Sequence, residues 1–346
     1  MSRKDLLSLV YEHRVSLAIL VSYLLAGYLL QATLLPGMMA GLWYSPVYRV
    51  FLGGGVVSLP IVFVLARWRV RGADGGRIHG AEGWRVAWRS ARQELFTAPR
   101  LLRLLFVLFY VPFVMSVFGR WKSVMHLIHP FAWDERLSSL DRWVHFGTYP
   151  WEDLQPLLGR PIITRALDFL YVPCLVTALI GTTVWQGWRE DRRRREQFLS
   201  AFALSWIVLG TIAATALSSA GPCYYALVTH LPDPYQALMG YLDRVDASSP
   251  LIAVGIQRGL WASFTGQVST PFDGISAMPS LHVAMPVLFA LAGWQYDRRL
   301  GAALTAYAFL VLVGSVHLGW HYAIDGYASI LGVTLLWILA GRLARE

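Results

Sequence analysis

Long apolar segments recur along the chain and predict a bundle of membrane-spanning helices. Each has roughly 17–22 apolar residues, which as a helix would cross about 30 Å of hydrocarbon. The segments lie near residues 15–36, 47–66, 102–118, 167–187, 199–219, 277–295, 301–320 and 325–342. The pattern therefore predicts an all-α polytopic membrane protein with about eight transmembrane helices.

The polar connections add shorter helices to this picture. Residues 84–95 place tryptophans on one helical face and arginines on the other, which is typical of a helix in the headgroup region, although a small helix packed on the bundle has the same pattern. Ser249 followed by Pro250 predicts the start of a helix that ends near Phe264. Asp233 before a proline predicts the start of another helix.

Composition and charge indicate the environment and the orientation of these helices. The chain has 346 residues, of which 56% are hydrophobic and 15% charged, and its mean hydropathy is +0.47. A soluble domain would carry more charge, about a quarter of its residues. The net charge of +9 comes mostly from arginines that flank the apolar segments, which favours cytoplasmic loops over nucleic-acid binding. The opposite side of the plasma membrane then receives two long outer loops, 119–166 and 220–276.

Two regions follow from this arrangement. Residues 1–100 are expected to form two N-terminal spans with a basic interfacial segment. Residues 101–346 are expected to form a catalytic core of six helices together with both outer loops. Because loops of this length are usually functional, we expect them to cover a site at the extracytoplasmic face.

Candidate chemistry is concentrated near the C-terminus. His282 opens the sixth span, and His321 and Asp325 follow the seventh. An antiparallel hairpin of two full spans returns its ends to one membrane face, so the two histidines are expected at the same depth. Ionisable side chains at bilayer depth are costly and usually mark a site.

These side chains have the composition of a nucleophilic site. His321 and Asp325 are four positions apart, so on a helix the carboxylate can accept one ring N–H and leave the other nitrogen free to attack. His282 can protonate the departing oxygen, and Ser280 with backbone N–H groups at the start of the sixth span can hold phosphoryl oxygens. For His317, four positions before His321, three alternatives stay open: contact with the pocket or phosphate, a structural role, and a metal ligand.

Two motifs in this region resemble those of the type 2 phosphatidic acid phosphatase superfamily. The run Pro-Ser-Leu-His at 279–282 matches its Pro-Ser-x-His motif, and His321 with Asp325 matches its His-x-x-x-Asp motif. The resemblance covers roughly residues 270–340. It implies a six-helix core formed by spans three to eight, a phosphohistidine intermediate on His321, and no metal or other cofactor. By position it makes His282 the general acid, Asp325 the group that orients the nucleophile, and Ser280 a phosphate contact.

The chain departs from this family in its cations. Gly314 and Ser315 stand where the third motif has Ser-Arg, and the first motif, Lys-x6-Arg-Pro, is not found where expected. The branch that lacks these cations includes lipid phosphotransferases similar to inositol phosphorylceramide synthase, and this sequence is similar to that branch. The loop at 221–225, with Tyr224 and Tyr225, is similar to a proline-and-aromatic loop of the same branch.

Further candidate residues come from the same comparison. Ser315, Tyr224 and Tyr225 are candidate substrate contacts, as are Ser280 and His317. Asp134 and Asp141 in the first outer loop are additional candidates. A phosphate near hydrocarbon needs a compensating charge. The cations available on the outer side are Lys122, Arg136, Arg165, Arg244 and Arg258, each of which is individually more typical of a headgroup anchor.

Three functions are considered. The leading one is a lipid phosphotransferase that moves a phosphorylated head group to a lipid or polyol acceptor, because the family's phosphate-binding arginine is missing. The alternative is a lipid phosphate phosphatase, of the phosphatidic acid or polyprenyl phosphate type, that uses water as the acceptor. A transporter would show inverted repeats with broken helices, and the sequence shows no such symmetry.

Overall fold

The computed structural model describes residues 3–33, 47, 51, 53, 97–268 and 274–345, and every regular element in them is a helix. Six helical stretches of the described residues are long and apolar enough to cross a membrane. They are Arg14–Thr33, Ala98–Ile128, Pro161–Trp188, Arg192–Ala216, Arg298–His317 and Ala323–Leu343. A further apolar helix, Leu281–Trp294, is shorter. The prediction of an all-α polytopic membrane protein is confirmed.

The predicted number of spans is not confirmed. The segment expected at 47–66 and the interfacial helix expected at 84–95 lie outside the described residues, apart from positions 47, 51 and 53. The first apolar segment, 15–36, is present as Arg14–Thr33. The other six predicted segments each correspond to one of the helices named above, with shifted ends.

In chain order the described helices are α1 (Arg3–Glu12), α2 (Arg14–Thr33), α3 (Ala98–Ile128), α4 (Asp134–Val144), α5 (Pro150–Leu158), α6 (Pro161–Tyr171), α7 (Pro173–Trp188), α8 (Arg192–Leu204), α9 (Tyr225–Thr229), α10 (Gln236–Ser248), α11 (Ile252–Phe264), α12 (Leu281–Trp294), α13 (Arg298–His317) and α14 (Ala323–Leu343). Helix α8 continues as a π-helix, Ser205–Ala213, and ends with a last turn at Ala214–Ala216. We call the end of the bundle that carries residues 129–160, 217–268 and 274–280 the outer end.

Helix α3 is longer than its apolar stretch, which was expected to end at 118. Pro99 occupies its first turn, where a missing N–H has no cost. The helix continues through Gly119 and Lys122 because no proline follows the apolar segment before Pro130. It ends where His129 adopts extended backbone, as expected for a residue that precedes a proline. The first outer loop therefore begins near 129 instead of 119, and Lys122 lies in the last turns of a helix at the outer end.

The outer loops consist largely of short helices. The helix expected from Ser249 to Phe264 is α11, but it begins at Ile252, and Ser249 does not cap it. Its first two free N–H groups, those of Ile252 and Ala253, donate instead to the carboxylate of Asp168, both at 2.8 Å. A distant buried carboxylate has therefore replaced the local cap that the sequence indicated.

Two buried apolar clusters hold these layers together. Within the bundle, Val111 and Val114 of α3 pack with Phe202 of α8 and Leu288 of α12. At the outer end a second cluster joins α10 and α11 to the α13–α14 connection. Its fully buried members include Leu238, Leu242, Val254, Leu318 and Tyr322. The roof formed by α10 and α11 is thus packed directly on the segment that contains His321.

Candidate active site

The connection between α13 and α14 orients the ring of His321. After α13 ends, the backbone N–H of His321 donates to the carbonyl of Ser315 at 3.2 Å. Asp325 lies in the first turn of α14, and its Oδ2 accepts the Tyr322 backbone N–H at 3.1 Å. The same Oδ2 is 3.2 Å from Nδ1 of His321. One carboxylate oxygen therefore caps the helix and holds the imidazole.

The second ring nitrogen of His321 is left for other chemistry. When Nδ1 donates its proton to Asp325, Nε2 carries a lone pair. This Nε2 has no hydrogen-bond partner among the described residues. Burial, together with the positive charge of Lys122, lowers the pKa of His321 from its ordinary value to about 3. The imidazole is therefore neutral at physiological pH, which is the form that can act as a nucleophile.

His282 faces this ring from the first turn of α12. The two ring centroids are 5.8 Å apart. The ring of Tyr171 stacks on that of His282 with a centroid distance of 5.0 Å. The ring of Trp320, in the connection between α13 and α14, stacks on His282 with a centroid distance of 6.2 Å. These aromatic contacts fix the orientation of His282 and leave its polar edge near His321.

A cavity of about 210 Å³ lies in front of the two histidines. Its polar wall is formed by Lys122, Ser276, His282 and His321. Lys122 is the cation at this wall, contributed by the extended end of α3. The cavity thus places a positive charge beside two imidazoles, an arrangement suited to an anionic group.

The rest of the cavity wall is apolar and reaches the side of the bundle. Leu175 and Val176 of α7 line it, opposite Ile256 and Leu260 of α11. Val176 is 42% exposed and Ile256 is 39% exposed, so this rim is part of the outer surface. The cavity is polar at its inner wall and apolar at its lateral rim.

A family model described as the PAP2 superfamily matches residues 135–340. This is more than half of the chain and includes His282, His321 and Asp325. The chain belongs to the PAP2 superfamily. Members of this superfamily are generally phosphatases, so membership supports enzyme activity of the lipid phosphatase or phosphotransferase class. Comparison with curated proteins and with solved structures gave no match.

Of the five substrate contacts expected from sequence, the structure brings one to the cavity of this PAP2 protein. Tyr224 lines it, with its hydroxyl donating to the carbonyl of Gln257 at 2.8 Å. Tyr225 points elsewhere and packs edge-on against Tyr235 at 5.6 Å. The aromatic loop therefore contributes a single wall residue.

The two serines lie behind the cavity wall because each is used by its own helix. Oγ of Ser280 accepts the N–H of Val283 at 3.3 Å and caps α12. Oγ of Ser315 donates to the carbonyl of Leu312 at 2.7 Å. Both serines are fully buried, so neither hydroxyl is at the cavity surface.

His317 also lies away from the cavity. Its Nε2 is 2.9 Å from Oγ1 of Thr164, which in turn is 2.7 Å from the hydroxyl of Tyr241. Of the three alternatives for His317, these contacts favour the structural role. Across the described residues, no three metal-ligating side chains are grouped closely enough to hold a metal ion.

Sequence reasoning singled out no one cation, whereas the structure brings Lys122 to the site. A motif around Lys122 in the sequence indicates this position. Lys122 is followed seven positions later by His129 and Pro130, which reproduces the Lys-x6-Arg-Pro motif of this superfamily with histidine in place of arginine. Among the other outer cations, Arg165 donates to Ser248 and Arg258 pairs with two aspartates.

Proposed function

We propose that this PAP2 protein is a lipid phosphotransferase that works through a covalent phosphohistidine on His321. The observation that carries the proposal is the position of His321, whose Nε2 has no hydrogen-bond partner in the described residues and whose side chain lines the cavity together with His282 and Lys122. The orienting bond from Asp325 supports the same assignment.

In the first half of the reaction, Nε2 of His321 attacks phosphorus, and the bond from phosphorus to the leaving alkoxide oxygen breaks. His282, which takes up a proton when the anionic donor binds in the cavity, gives that proton to the leaving oxygen, so the leaving group departs as an alcohol. The imidazole of His321 becomes positively charged, and the carboxylate of Asp325 stabilises it through the Nδ1–H bond.

In the second half, an acceptor hydroxyl loses its proton to the neutral His282 and attacks the same phosphorus. The bond between phosphorus and Nε2 breaks, which restores the neutral His321 and the protonated His282. Lys122 compensates the negative phosphoryl oxygens in both steps.

The shape of the cavity supports a membrane lipid as the phosphate donor. A volume of about 210 Å³ accommodates a phosphorylated head group, and the apolar rim between α7 and α11 leads to the lipid-facing side of the bundle. The acyl or isoprenoid chains of the donor can then stay in the bilayer. Such a route requires no transfer of the chains through water.

The choice between transfer and hydrolysis depends on the acceptor. The missing arginine and the Pro-Ser-Leu-His run favour transfer to a lipid or polyol, as in the branch similar to inositol phosphorylceramide synthase. The alternative is hydrolysis of a lipid phosphate, which the general activity of the superfamily favours. We place the site on the extracytoplasmic face of the plasma membrane, since the arginine-rich connections at 189–195 and 298–299 lie at the opposite end of the bundle.

The deciding experiment uses purified full-length protein in lipid nanodiscs with phospholipids labelled at phosphorus. We expect label to pass to an added inositol-, glycerol- or sphingoid-type alcohol, with less released as inorganic phosphate. Rapid quenching should recover acid-labile, base-stable label on the peptide that contains His321. Release of inorganic phosphate alone, whatever the alcohol, would establish the phosphatase alternative, and label on another residue would overturn the mechanism.

A further inference from the structure

Three aspartates of helices α4 and α6 are buried. Asp134 and Asp141 are each 2% exposed, and Asp168 is 4% exposed. None forms an ion pair with lysine or arginine within the described chain. Each carboxylate instead accepts the N–H groups of two consecutive residues in a later part of the fold. These carboxylates therefore connect distant segments.

Two of the three carboxylates meet the turn that carries the candidate nucleophile. Asp141 accepts the N–H of Ala323 at 3.2 Å and that of Ile324 at 3.1 Å. Asp134 accepts the hydroxyl of Tyr322 at 2.9 Å. The three residues that directly follow His321 in the chain are thus each bonded to helix α4.

The bonds to Asp141 use backbone N–H groups at the start of α14, which have no acceptor within their own helix. The first N–H groups of α14 have no partner inside the helix, and a carboxylate at this end is favoured by the helix dipole. Asp325 lies in the same turn and takes the N–H of Tyr322. The position of Asp325, and through it the ring of His321, is therefore set by the bonds from α4.

Asp134 links the same turn to a second segment. Its carboxylate also accepts the N–H of Ala220 at 2.9 Å and that of Gly221 at 2.8 Å. Ala220 lines the cavity. One side chain thus ties the turn after His321 to another residue of the cavity wall.

We propose that Asp141 and Asp134 are positioning residues that hold His321 and Asp325 in line with the cavity for group transfer. The inference deepens the proposed function and rests on it. Asp168 is the matched counterpart, because it binds two N–H groups at the start of α11 in the same way. Helix α11 carries Ile256 and Leu260 of the lateral rim, so Asp168 positions the lipid-binding wall and not the nucleophile.

The test compares Asp141→Asn with Asp168→Asn, which remove equivalent buried charges. We expect Asp141→Asn to lower kcat by about ten- to a hundredfold with KM nearly unchanged, since small displacements of a reacting group are costly. We expect Asp168→Asn to raise KM, with a smaller effect on kcat. An equal loss of kcat in both variants, scaling with their loss of thermal stability, would overturn the inference.

If Asp141→Asn does not fold, a variant with a smaller structural change can be measured instead. Tyr322→Phe removes only the hydroxyl bond to Asp134 and keeps the ring in its apolar cluster. We expect a severalfold fall in kcat at constant KM. An unchanged kcat in Tyr322→Phe would remove Asp134 from the proposal.

A spectroscopic measurement separates this inference from the proposed function. Protein labelled with ¹⁵N-histidine reports the tautomer of His321 without turnover, and His321→Ala assigns its signals. We expect the Nδ1–H tautomer in the wild type and in Asp168→Asn, and a mixture of tautomers in Asp141→Asn. If no lipid phosphate is turned over but the tautomers change in this way, the function is wrong and the positioning role holds. An unchanged tautomer in Asp141→Asn overturns the positioning role even in an active enzyme.

Discussion

Two histidine–carboxylate pairs lie at opposite ends of the helix bundle and share the same geometry. Nδ1 of His13 is 3.2 Å from Oε2 of Glu196, and Nδ1 of His321 is 3.2 Å from Oδ2 of Asp325. Both rings are buried, at 0% and 4% exposure. In both rings, Nε2 has no hydrogen-bond partner among the described residues.

The surroundings of the two pairs differ. The ring of His13 is stacked on Phe106 at 4.0 Å, and the carboxylate of Glu196 also takes the N–H and the hydroxyl of Ser16 at 2.7 and 3.1 Å. This pair joins the start of α2 to α8. The ring of His321 instead lines a cavity that also contains a second histidine and a lysine. The comparison shows that a paired histidine becomes a candidate nucleophile only where its side chain lines a cavity that a substrate can enter.

The largest expected difference is between asparagine variants of the two histidines. Asparagine keeps a donor near the Nδ1 position and removes Nε2. We expect His321→Asn to lower turnover at least about a thousandfold, because the proposed nucleophile is lost. His13→Asn should keep kcat per folded molecule. Steady-state rates on labelled lipid, normalised to folded protein by size-exclusion chromatography, make the comparison, and comparable kcat losses in both variants would refute the distinction.

His282, the second histidine of the cavity, gives the next prediction. His282→Gln removes the group assigned to protonate the leaving oxygen, and general acid catalysis contributes about 10²–10⁴-fold. A donor with a nitrophenol leaving group needs no proton, so it should restore most of the rate of phosphohistidine formation. Burst kinetics with natural and activated donors measure this recovery. Equal losses with both donors would assign His282 a binding role only.

Lys122 is the cation of the cavity that His321 lines. Replacing it with methionine should raise KM about ten- to a hundredfold, because a hydrogen bond to a charged group is worth about 1.5–3 kcal/mol. Lys122→Arg should recover part of this loss. Arg258→Met is the matched control, since Arg258 is 61% exposed and the ion pairs of an exposed side chain contribute little. Equal KM values for Lys122→Met and the wild type would exclude the lysine from the phosphate site.

Much of the fold could be predicted because membrane spans depend on local composition. The antiparallel relation of α12 and α13 follows from span lengths alone, and it brought His282 and His321 to one face. The orienting bond of Asp325 follows from a spacing of four residues. These relations involve residues close in sequence or joined by one hairpin.

What could not be predicted depends on contacts between distant segments. The apolar pattern ended α3 at 118, so Lys122 was assigned to a loop, whereas the helix carries it into the cavity. Ser280 and Ser315 had the right residue type, but each hydroxyl is bonded within its own helix. The carboxylates of Asp141 and Asp168 bind N–H groups more than eighty residues away, and no local pattern indicates such partners.

The smallest expected effect concerns the dependence of stability on pH. Burial lowers the pKa of His13 below its ordinary value of 6.5, although the hydrogen bond that His13 donates to Glu196 acts in the opposite direction. Burial and Lys122 lower the pKa of His321 in the same sense. Below pH 6.5 the unfolded chain therefore binds protons that the folded chain does not, so the free energy of unfolding decreases as the pH falls. Each histidine contributes at most about 1.4 kcal/mol per pH unit.

The same asparagine variants test this effect. The apparent Tm of the wild type should fall between pH 7.5 and pH 6, and the fall should be smaller in both His13→Asn and His321→Asn. Below pH 6, Asp141 opposes the trend, because burial raises its pKa to about 6 and the folded chain then binds a proton before the unfolded chain does. Thermal unfolding followed by tryptophan fluorescence measures the slopes. If neither variant changes the slope, the two imidazoles do not differ in protonation between the folded and unfolded chain. If both flatten it while only His321→Asn loses turnover, the two pairs are alike in their titration and differ only in access to substrate.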